Sequence, residues 1–225
     1  MKIPYQKQLD VPGNRMCGAA ALCMVYDSFG IKTSQQDVWP RISVLDKEGE
    51  DKYSMTYLLC ADAIKQSLHG IIIQAKNPWK ILKLCNENSI RAILLHRLEA
   101  DSPCGHFTVL VDVDDQFVTL NDPEKGPNRK VERNEMLDLW SKKGKNCEIE
   151  DNILIAISKN DSGKASCPLC GTVIPRSTRC TDSNCNTDIL LQPFAVLGCI
   201  KNSCPERTWE YIDCPHCDES LEDIP

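Results

Sequence analysis

Three residues whose types act together in nucleophilic catalysis are spread along this 225-residue chain: Cys17, His106 and Asp122. Cys17 follows the turn-rich residues 12–14 and begins an Ala-rich run that predicts a helix capped by Asn14. The unpaired N–H groups and the dipole at a helix start favour a thiolate over a thiol. A buried structural thiol is the alternative for a lone cysteine, so the interpretation depends on the residues downstream.

His106 and Asp122 belong to two neighbouring β-rich segments. His106 begins one segment, and Asp122 ends the next, across the turn signal at residues 114–115. These two ends of an antiparallel hairpin lie side by side, so we expect the imidazole and the carboxylate to be neighbours. Asn121 could orient His106 instead, but adjacent strand residues point to opposite faces, so only one of the two can do so easily. With Cys17, the set supplies a nucleophile, a base and a group that orients the base.

Eight of the fourteen cysteines crowd residues 167–217. A Cys-x-x-Cys turn presents two thiolates to one ion, and four thiolates complete a tetrahedral structural zinc site with no open position. The spacing therefore predicts two structural zinc ions. The simplest assignment is sequential, with one ion bound by Cys167, Cys170, Cys180 and Cys185 and the other by Cys199, Cys204, Cys214 and Cys217. The alternative joins the outer pairs on one ion and the inner pairs on the other.

The elements that must position these residues are helices first and then an antiparallel sheet, which predicts an α+β fold. The charged run at residues 46–52, between the second and third predicted helices, is predicted to be a solvated loop. Helices are predicted at residues 14–29, from 34 to a break near Trp39–Pro40, and at 54–68, 78–86 and 134–142. Strands are predicted at residues 71–73, 93–95, 107–113, 116–120 and 153–157.

Composition divides the chain into a domain at residues 1–159, a polar linker at 160–166 and a cysteine-rich module at 167–225. So small a module has little apolar core, so metal binding should supply most of its folding free energy. Its aromatic residues are candidates either for protein contacts or for packing: Phe194, Trp209 and Tyr211.

Charge and hydropathy exclude two classes of partner. The formal net charge is −6, and acidic residues outnumber basic ones in the tail, which argues against nucleic-acid binding. No apolar run reaches membrane-spanning length, and the first residues do not resemble a signal peptide. We therefore expect a cytoplasmic protein that acts on no membrane and whose tail recognises protein.

Four segments taken together resemble the papain-like cysteine peptidases, in the branch that removes double-glycine leader peptides from bacteriocin precursors. The resemblance spans about residues 1–158 and implies the papain-like fold, with N-terminal helices packed on an antiparallel sheet. The segments are residues 3–8 (IPYQKQ), 17–22 (CGAAAL), 105–111 (GHFTVLV) and 121–123 (NDP).

The resemblance assigns roles to four residues. It implies that Cys17 is the nucleophile and His106 the general base. Asp122, rather than its neighbour, would orient His106. Gln8 would donate to the oxyanion hole beside the backbone N–H of Cys17.

Two features depart from the family pattern. In much of the family the glutamine lies closer to the cysteine, at the position that Val11 occupies here. Gln8 keeps the register of the opening motif and is therefore preferred to Gln6. The charged residues 46–53 resemble an insertion that alters the substrate groove.

These observations predict a cysteine peptidase that cleaves a peptide or protein substrate, with a zinc-binding tail that recruits a protein substrate or partner. The same machinery could hydrolyse an isopeptide bond or transfer the acyl group to another amine. A non-catalytic interaction module on a peptidase fold is the further alternative, and the retained Cys17, His106 and Asp122 argue against it.

Overall fold

The computed structural model describes residues 2–47, 49–160 and 165–224, and it has the predicted α+β architecture. None of the described helices has the length and apolar character needed to span a bilayer. The helices are α1 (Cys17–Ser28), α2 (Gln35–Ile42), α3 (Thr56–Lys65), α4 (Pro78–Glu87) and α5 (Arg133–Leu139), with a short 3-10 helix at Gln192–Leu197.

Eight antiparallel strands form the central sheet, in the order β12-β11-β3-β8-β4-β5-β6-β7. Two short hairpins, β1–β2 and β9–β10, lie outside it. The strands are β1 (Ser43–Leu45), β2 (Lys52–Ser54), β3 (His69–Ala75), β4 (Arg91–Arg97), β5 (Gly105–Val113), β6 (Phe117–Asp122), β7 (Gly126–Glu132), β8 (Ile153–Ser158), β9 (Ser177–Arg179), β10 (Asp188–Leu190), β11 (Trp209–Asp213) and β12 (Ser220–Leu221).

The predicted hairpin is β5–β6, in which Leu110 lies opposite Leu120. Strand β7 was not predicted, because its polar sequence lacks the apolar alternation that indicates a strand. It pairs with β6 and forms one edge of the sheet. Of the charged run, residues 46–47 and 49–51 lie between β1 and β2, which pair as a hairpin, and residue 48 lies outside the described residues.

Helix α1 lies in the core, with all residues from Cys17 to Tyr26 buried. The predicted cap is wrong: the N-cap residue is Met16, which makes no side-chain capping bond, whereas Asn14 accepts a hydrogen bond from Trp39 Nε1 at 2.9 Å. The first-turn amides beside Cys17 are therefore free of a side-chain cap. The predicted break at Pro40 is also wrong, since α2 continues to Ile42.

The cysteine-rich tail shares a sheet with the rest of the chain. Strand β11 pairs with β3, so that Ile212 lies opposite Ile73 and Asp213 opposite Ile72. The tail also contributes to the main apolar cluster through several buried residues, among them Phe194, Leu197 and Trp209. Residues 161–164 of the predicted linker lie outside the described residues. The stability of the tail thus draws on a shared core as well as on its cysteines.

This shared core predicts one cooperative unfolding transition. Ile212→Ala leaves a cavity at a fully buried position of β11, so the free energy of unfolding should fall by about 2–5 kcal/mol. Urea denaturation followed by circular dichroism and tryptophan fluorescence would measure it. Val173→Ala, at an exposed tail position, is the control and should change stability by less than about 0.5 kcal/mol. A separate tail transition, with the remainder unchanged in Ile212→Ala, would contradict the shared core.

Candidate active site

Three elements bring Cys17, His106 and Asp122 together. Cys17 is the first residue of α1, His106 the second residue of β5 and Asp122 the last residue of β6. Nε2 of His106 lies 2.7 Å from Oδ1 of Asp122, and His106 and Cys17 lie close enough for each to shift the pKa of the other. Since Nε2 faces the carboxylate, Nδ1 is the ring nitrogen left for the thiol.

Gly18 allows the start of α1 to lie close to β2 and β5. A Cβ atom at Gly18 would lie 2.5 Å from Ser54 Oγ and 3.3 Å from the Phe107 ring. The backbone of Phe107 in turn lies close enough to the Cys17 sulfur to lower the pKa of the thiol. A glycine after Cys17 is therefore a steric requirement for the contact between the thiol and β5.

The pKa values of Cys17 and His106 are shifted in opposite directions. Burial raises the pKa of the Cys17 thiol, but the hydrogen bond and charge of His106 outweigh it, and the net pKa lies below the ordinary value. Burial lowers the pKa of His106, but its bonds to Asp122 and Cys17 raise it to about 9. Together these shifts favour a thiolate–imidazolium pair.

Asp122 is fully buried and held by several donors. Its Oδ1 accepts from the backbone N–H groups of Glu124 and Lys125, at 3.0 and 3.1 Å, and Arg129 Nη1 lies 3.3 Å from Oδ2. Burial raises the pKa of this carboxyl, but the bond to His106 and the two amides outweigh it and the net pKa is lowered. The carboxylate is thus fixed in position and kept ionised.

Asn121 does not contact His106. Its Nδ2 donates to the backbone oxygen of Ile3 at 3.1 Å, and its Oδ1 accepts from the backbone N–H of Asn128 at 3.1 Å. The two neighbours on β6 therefore serve different faces, as the strand geometry predicts. Asn121 ties the N-terminal segment to the sheet.

A second buried histidine lies beside the first. The rings of His96 and His106 meet edge to face, with their centroids 5.7 Å apart. Burial, reinforced by the charge of His106, lowers the pKa of His96 to about 3. His96 is therefore neutral at physiological pH, and the positive charge is confined to His106.

The two candidate glutamines have different environments. The backbone N–H of Gln8 donates to the Pro123 oxygen at 2.9 Å, which places Gln8 next to the end of β6. Its side-chain Oε1 is buried and has no hydrogen-bond partner. In contrast, Nε2 of Gln6 donates to Asp27 Oδ2 at 2.7 Å. Gln6 is thus committed to a structural contact that Gln8 does not make.

A cleft of about 650 Å³ opens onto Cys17. Hairpin β1–β2 and residues of β5 and β8 form part of its lining. The tail forms another part, which the sequence did not predict. The tail residues in the lining are Tyr211, Asp213, Asp218 and Ser220. Of the tail aromatics singled out in the sequence, Tyr211 thus lines the cleft, whereas Phe194 and Trp209 are buried in the core.

Sequence patterns carried little signal for these additional residues. The alternation in β11 (WEYID) indicates a strand but does not identify β3 as its partner. Arg129 lies on β7, whose polar sequence does not indicate a strand. The part of the cleft that β11 forms depends on pairing with the distant strand β3, whereas β7 pairs with its neighbour in the chain, β6.

The eight tail cysteines form two groups of four. Within each group, the sulfur atoms lie within 4.8 Å of one another. One group is Cys167, Cys170, Cys199 and Cys204, and the other is Cys180, Cys185, Cys214 and Cys217. The sequential assignment is therefore wrong, and so is the alternative of outer and inner pairs. Cys180 and Cys185 lie in the turn of the β9–β10 hairpin, whose three-residue strands, about 10 Å long, separate them from the first pair.

Each group has the composition of a closed metal site. Four cysteines supply a complete tetrahedral ligand set. Hydrogen bonds with Thr172 lower the pKa of Cys170 to about 6, and those with Thr187 lower the pKa of Cys185 to about 7. One thiol of each group thus ionises near neutral pH, as metal binding requires. Both groups could hold a metal ion.

The shifted pKa of Cys17 predicts fast alkylation below neutral pH. Asp122→Asn removes the charge that supports the His106 imidazolium, so alkylation of Cys17 by iodoacetamide at about pH 6.5 should slow by about tenfold, the effect of one pKa unit. Mass spectrometry of the Cys17 peptide over a pH series would measure the rates. Asp115→Asn, in the exposed β5–β6 turn, is the control. A wild-type rate that rises only above about pH 8, the ordinary thiol range, would contradict the pairing.

The fold is similar to those of two solved peptidases. A C39-like peptidase from Bacillus anthracis is 18% identical with a TM-score of 0.56, and the match covers 70% of this chain and 95% of that one. The peptidase domain of Streptococcus ComA, a bifunctional ABC transporter of a quorum-sensing pathway, is 15% identical with a TM-score of 0.50, and the match covers 71% and 100%. At these identities the likeness concerns the fold alone.

A double glycine motif protease from an AMS/PCAT transporter, in complex with its leader peptide, is 19% identical with a TM-score of 0.48, and the match covers 70% of this chain and 91% of that one. No curated protein matches the chain. The model of the peptidase C39 family matches residues 4–148, which is more than half of the chain. The chain therefore belongs to the peptidase C39 family and is a cysteine peptidase.

Proposed function

We propose that this peptidase cleaves a peptide or protein substrate through Cys17 as nucleophile, His106 as general base and acid, and Asp122 as the group that orients His106. The observation that carries the proposal is the 2.7 Å contact between His106 Nε2 and the buried Asp122 carboxylate, with Cys17 at the start of α1 on the cleft. The lowered pKa of Cys17 and the raised pKa of His106 agree with a thiolate–imidazolium pair. In such a pair the Cys17 thiolate is the nucleophile and the neighbouring His106 imidazolium is the proton donor.

The first half of the reaction forms a thioester. The Cys17 thiolate attacks the carbonyl carbon of the scissile bond, and the oxygen becomes an oxyanion. Gln8 Nε2 and the backbone N–H of Cys17 donate to that oxyanion. As the C–N bond breaks, Nδ1 of His106 gives its proton to the leaving amine.

The second half hydrolyses the thioester. His106, now neutral, takes a proton from water through Nδ1 while the oxygen attacks the acyl carbon. The Cys17 thiolate leaves, and the product carboxylic acid is released. The starting thiolate–imidazolium pair is restored.

Asp122 acts through His106 in both halves. Its contact with Nε2 keeps that nitrogen as the donor and leaves Nδ1 directed at the thiol. The ion pair with Arg129 supports the ionised form of Asp122. A buried carboxylate held in this way favours the imidazolium at the moments when His106 carries the proton.

We further propose that the two cysteine groups hold zinc ions. A Zn²⁺ ion in a four-thiolate site has no open position, so its contribution is structural. The cysteines are all free thiols, and their need to remain reduced supports a cytoplasmic location. The tail would also contact the protein substrate, because four of its residues line the cleft next to Cys17.

The oxyanion proposal predicts different effects for the two glutamines. Gln8→Ala removes one oxyanion donor, so kcat should fall by about 100- to 1,000-fold with little change in KM. Gln6→Ala, which loses the bond to Asp27, should keep kcat and lose about 1 kcal/mol of stability. Hydrolysis of a quenched-fluorescent peptide that the wild-type protein cleaves would measure both, with Cys17→Ala as the inactive reference.

Three outcomes would count against these assignments. Near-normal turnover by Cys17→Ala would remove the nucleophile assignment. A larger loss of kcat in Gln6→Ala would transfer the donor role to Gln6. Equal activity of both glutamine variants would show that the oxyanion hole is built from other groups.

The zinc proposal predicts two ions per chain, held in the crossed grouping. C170S/C199S removes two ligands from one group, so one tightly held ion should remain after dialysis against a weak chelator. C170S/C180S removes one ligand from each group, so both ions should be lost more readily. Elemental analysis would measure the content. The reverse pattern in the two variants, or wild-type protein free of zinc, would contradict the proposal.

A further inference from the structure

The C-terminal hairpin places two carboxylates in the wall of the cleft. Asp213 ends β11, Asp218 follows the turn at Cys214–Cys217, and Ser220 begins β12. Asp213, Asp218 and Ser220 all line the cleft that opens onto Cys17. Because β11 is paired with β3, this wall is fixed to the central sheet.

The charges that line the cleft are predominantly acidic. Among the described residues of the lining, five acidic ones face two basic ones, Arg15 and Lys47. Arg15 is committed to Glu148 at 2.7 Å, and Glu150 is paired with Lys142 at 2.8 Å. The remaining acidic residues of the lining are Asp46, Asp213 and Asp218. They exceed the one remaining cation, so the cleft has a net negative charge.

Asp213 is the residue whose environment points most directly to a ligand. Its residue exposure is only 8%, yet it lines the cleft. It accepts a hydrogen bond from Ser220 Oγ at 2.6 Å, and within the described residues it has no ion pair. A carboxylate this buried is costly without a cation. A positively charged group in the cleft would supply that cation.

The rest of the lining suits the stem of a long side chain. Apolar and aromatic surface also lines the cleft. Lys and Arg pack their methylene stems on such surface while their charged ends reach polar groups. The residues that provide it include Met55, Leu95, Phe107, Ile153 and Tyr211.

We infer that Asp213 and Asp218 form a specificity site that selects peptides with a lysine or arginine side chain near the scissile bond. The inference rests on the proposed function, because it places that side chain in the cleft of the proposed nucleophile. The tail is then part of the substrate-binding surface of the peptidase, and substrate charge is read by residues beside the second cysteine group.

The test uses a mixture of synthetic peptides, with cleavage sites mapped by mass spectrometry. The full-length protein should enrich Lys or Arg at one position, and D213N/D218N should abolish that enrichment. For one cleaved peptide, replacing the cation by norleucine should lower kcat/KM about tenfold or more in the wild-type protein and by less than about twofold in D213N/D218N. Higher salt should weaken the wild-type preference.

The matched control is E219Q/E222Q, which removes two negative charges from exposed positions of the same segment that do not line the cleft. It should keep the wild-type preference. Loss of the preference in this control would show that general charge attraction, and not a site, selects the peptides.

Failure of the inference can be told from failure of the proposed function. Cleavage without preference for Lys or Arg would overturn the inference and leave the peptidase assignment intact. If no peptide is cleaved, immobilised Cys17→Ala protein exposed to the same mixture provides a binding readout. It should retain cationic peptides, and retention that is unchanged by D213N/D218N would overturn the inference.

Discussion

The buried contact between His106 and Asp122 is the constraint on which the rest of the site depends. At 2.7 Å, each group supplies the charge that the other needs, and removing either would leave an uncompensated buried charge, which typically costs about 3–5 kcal/mol. The β5–β6 hairpin must therefore keep its register. The backbone amides after Asp122 and the Arg129 side chain of β7 are further requirements of the same contact, since they hold the carboxylate in place.

The sequence predicts the parts of this site that depend on local geometry. A helix start at Cys17 and two adjacent strand ends at His106 and Asp122 follow from nearby residues. The strand pattern left open whether Asn121 or Asp122 orients His106. The cap at Asn14 failed because the indole of Trp39, on another helix, takes its side-chain oxygen. The tail wall of the cleft was also beyond prediction, because it is created by pairing of strands far apart in the sequence.

The tail cysteines show the same difference between local structure, which the sequence predicts, and long-range grouping, which it does not. Their spacing identifies which residues form ligand pairs, because cysteines separated by two residues, or by four as in the other two pairs, are close in the chain. It does not identify which pairs share an ion, since four pairs can be combined in three ways, as four single cysteines can. The grouping is set by the β9–β10 hairpin, which directs Cys180 and Cys185 away from the turn at Cys167.

The pairing of β11 with β3 also has a consequence for how the chain reaches its native state. Strand β3 contains three consecutive isoleucines, residues 71–73, and an uncovered apolar edge invites strands of other molecules. The opposite edge, β7, is polar and mostly exposed, which suits a free edge. During synthesis β3 emerges long before β11. The apolar edge of β3 therefore stays unpaired in the nascent chain until the last strands are made. The tail therefore also protects the molecule against self-association, and a chain interrupted before β11 would be prone to aggregate.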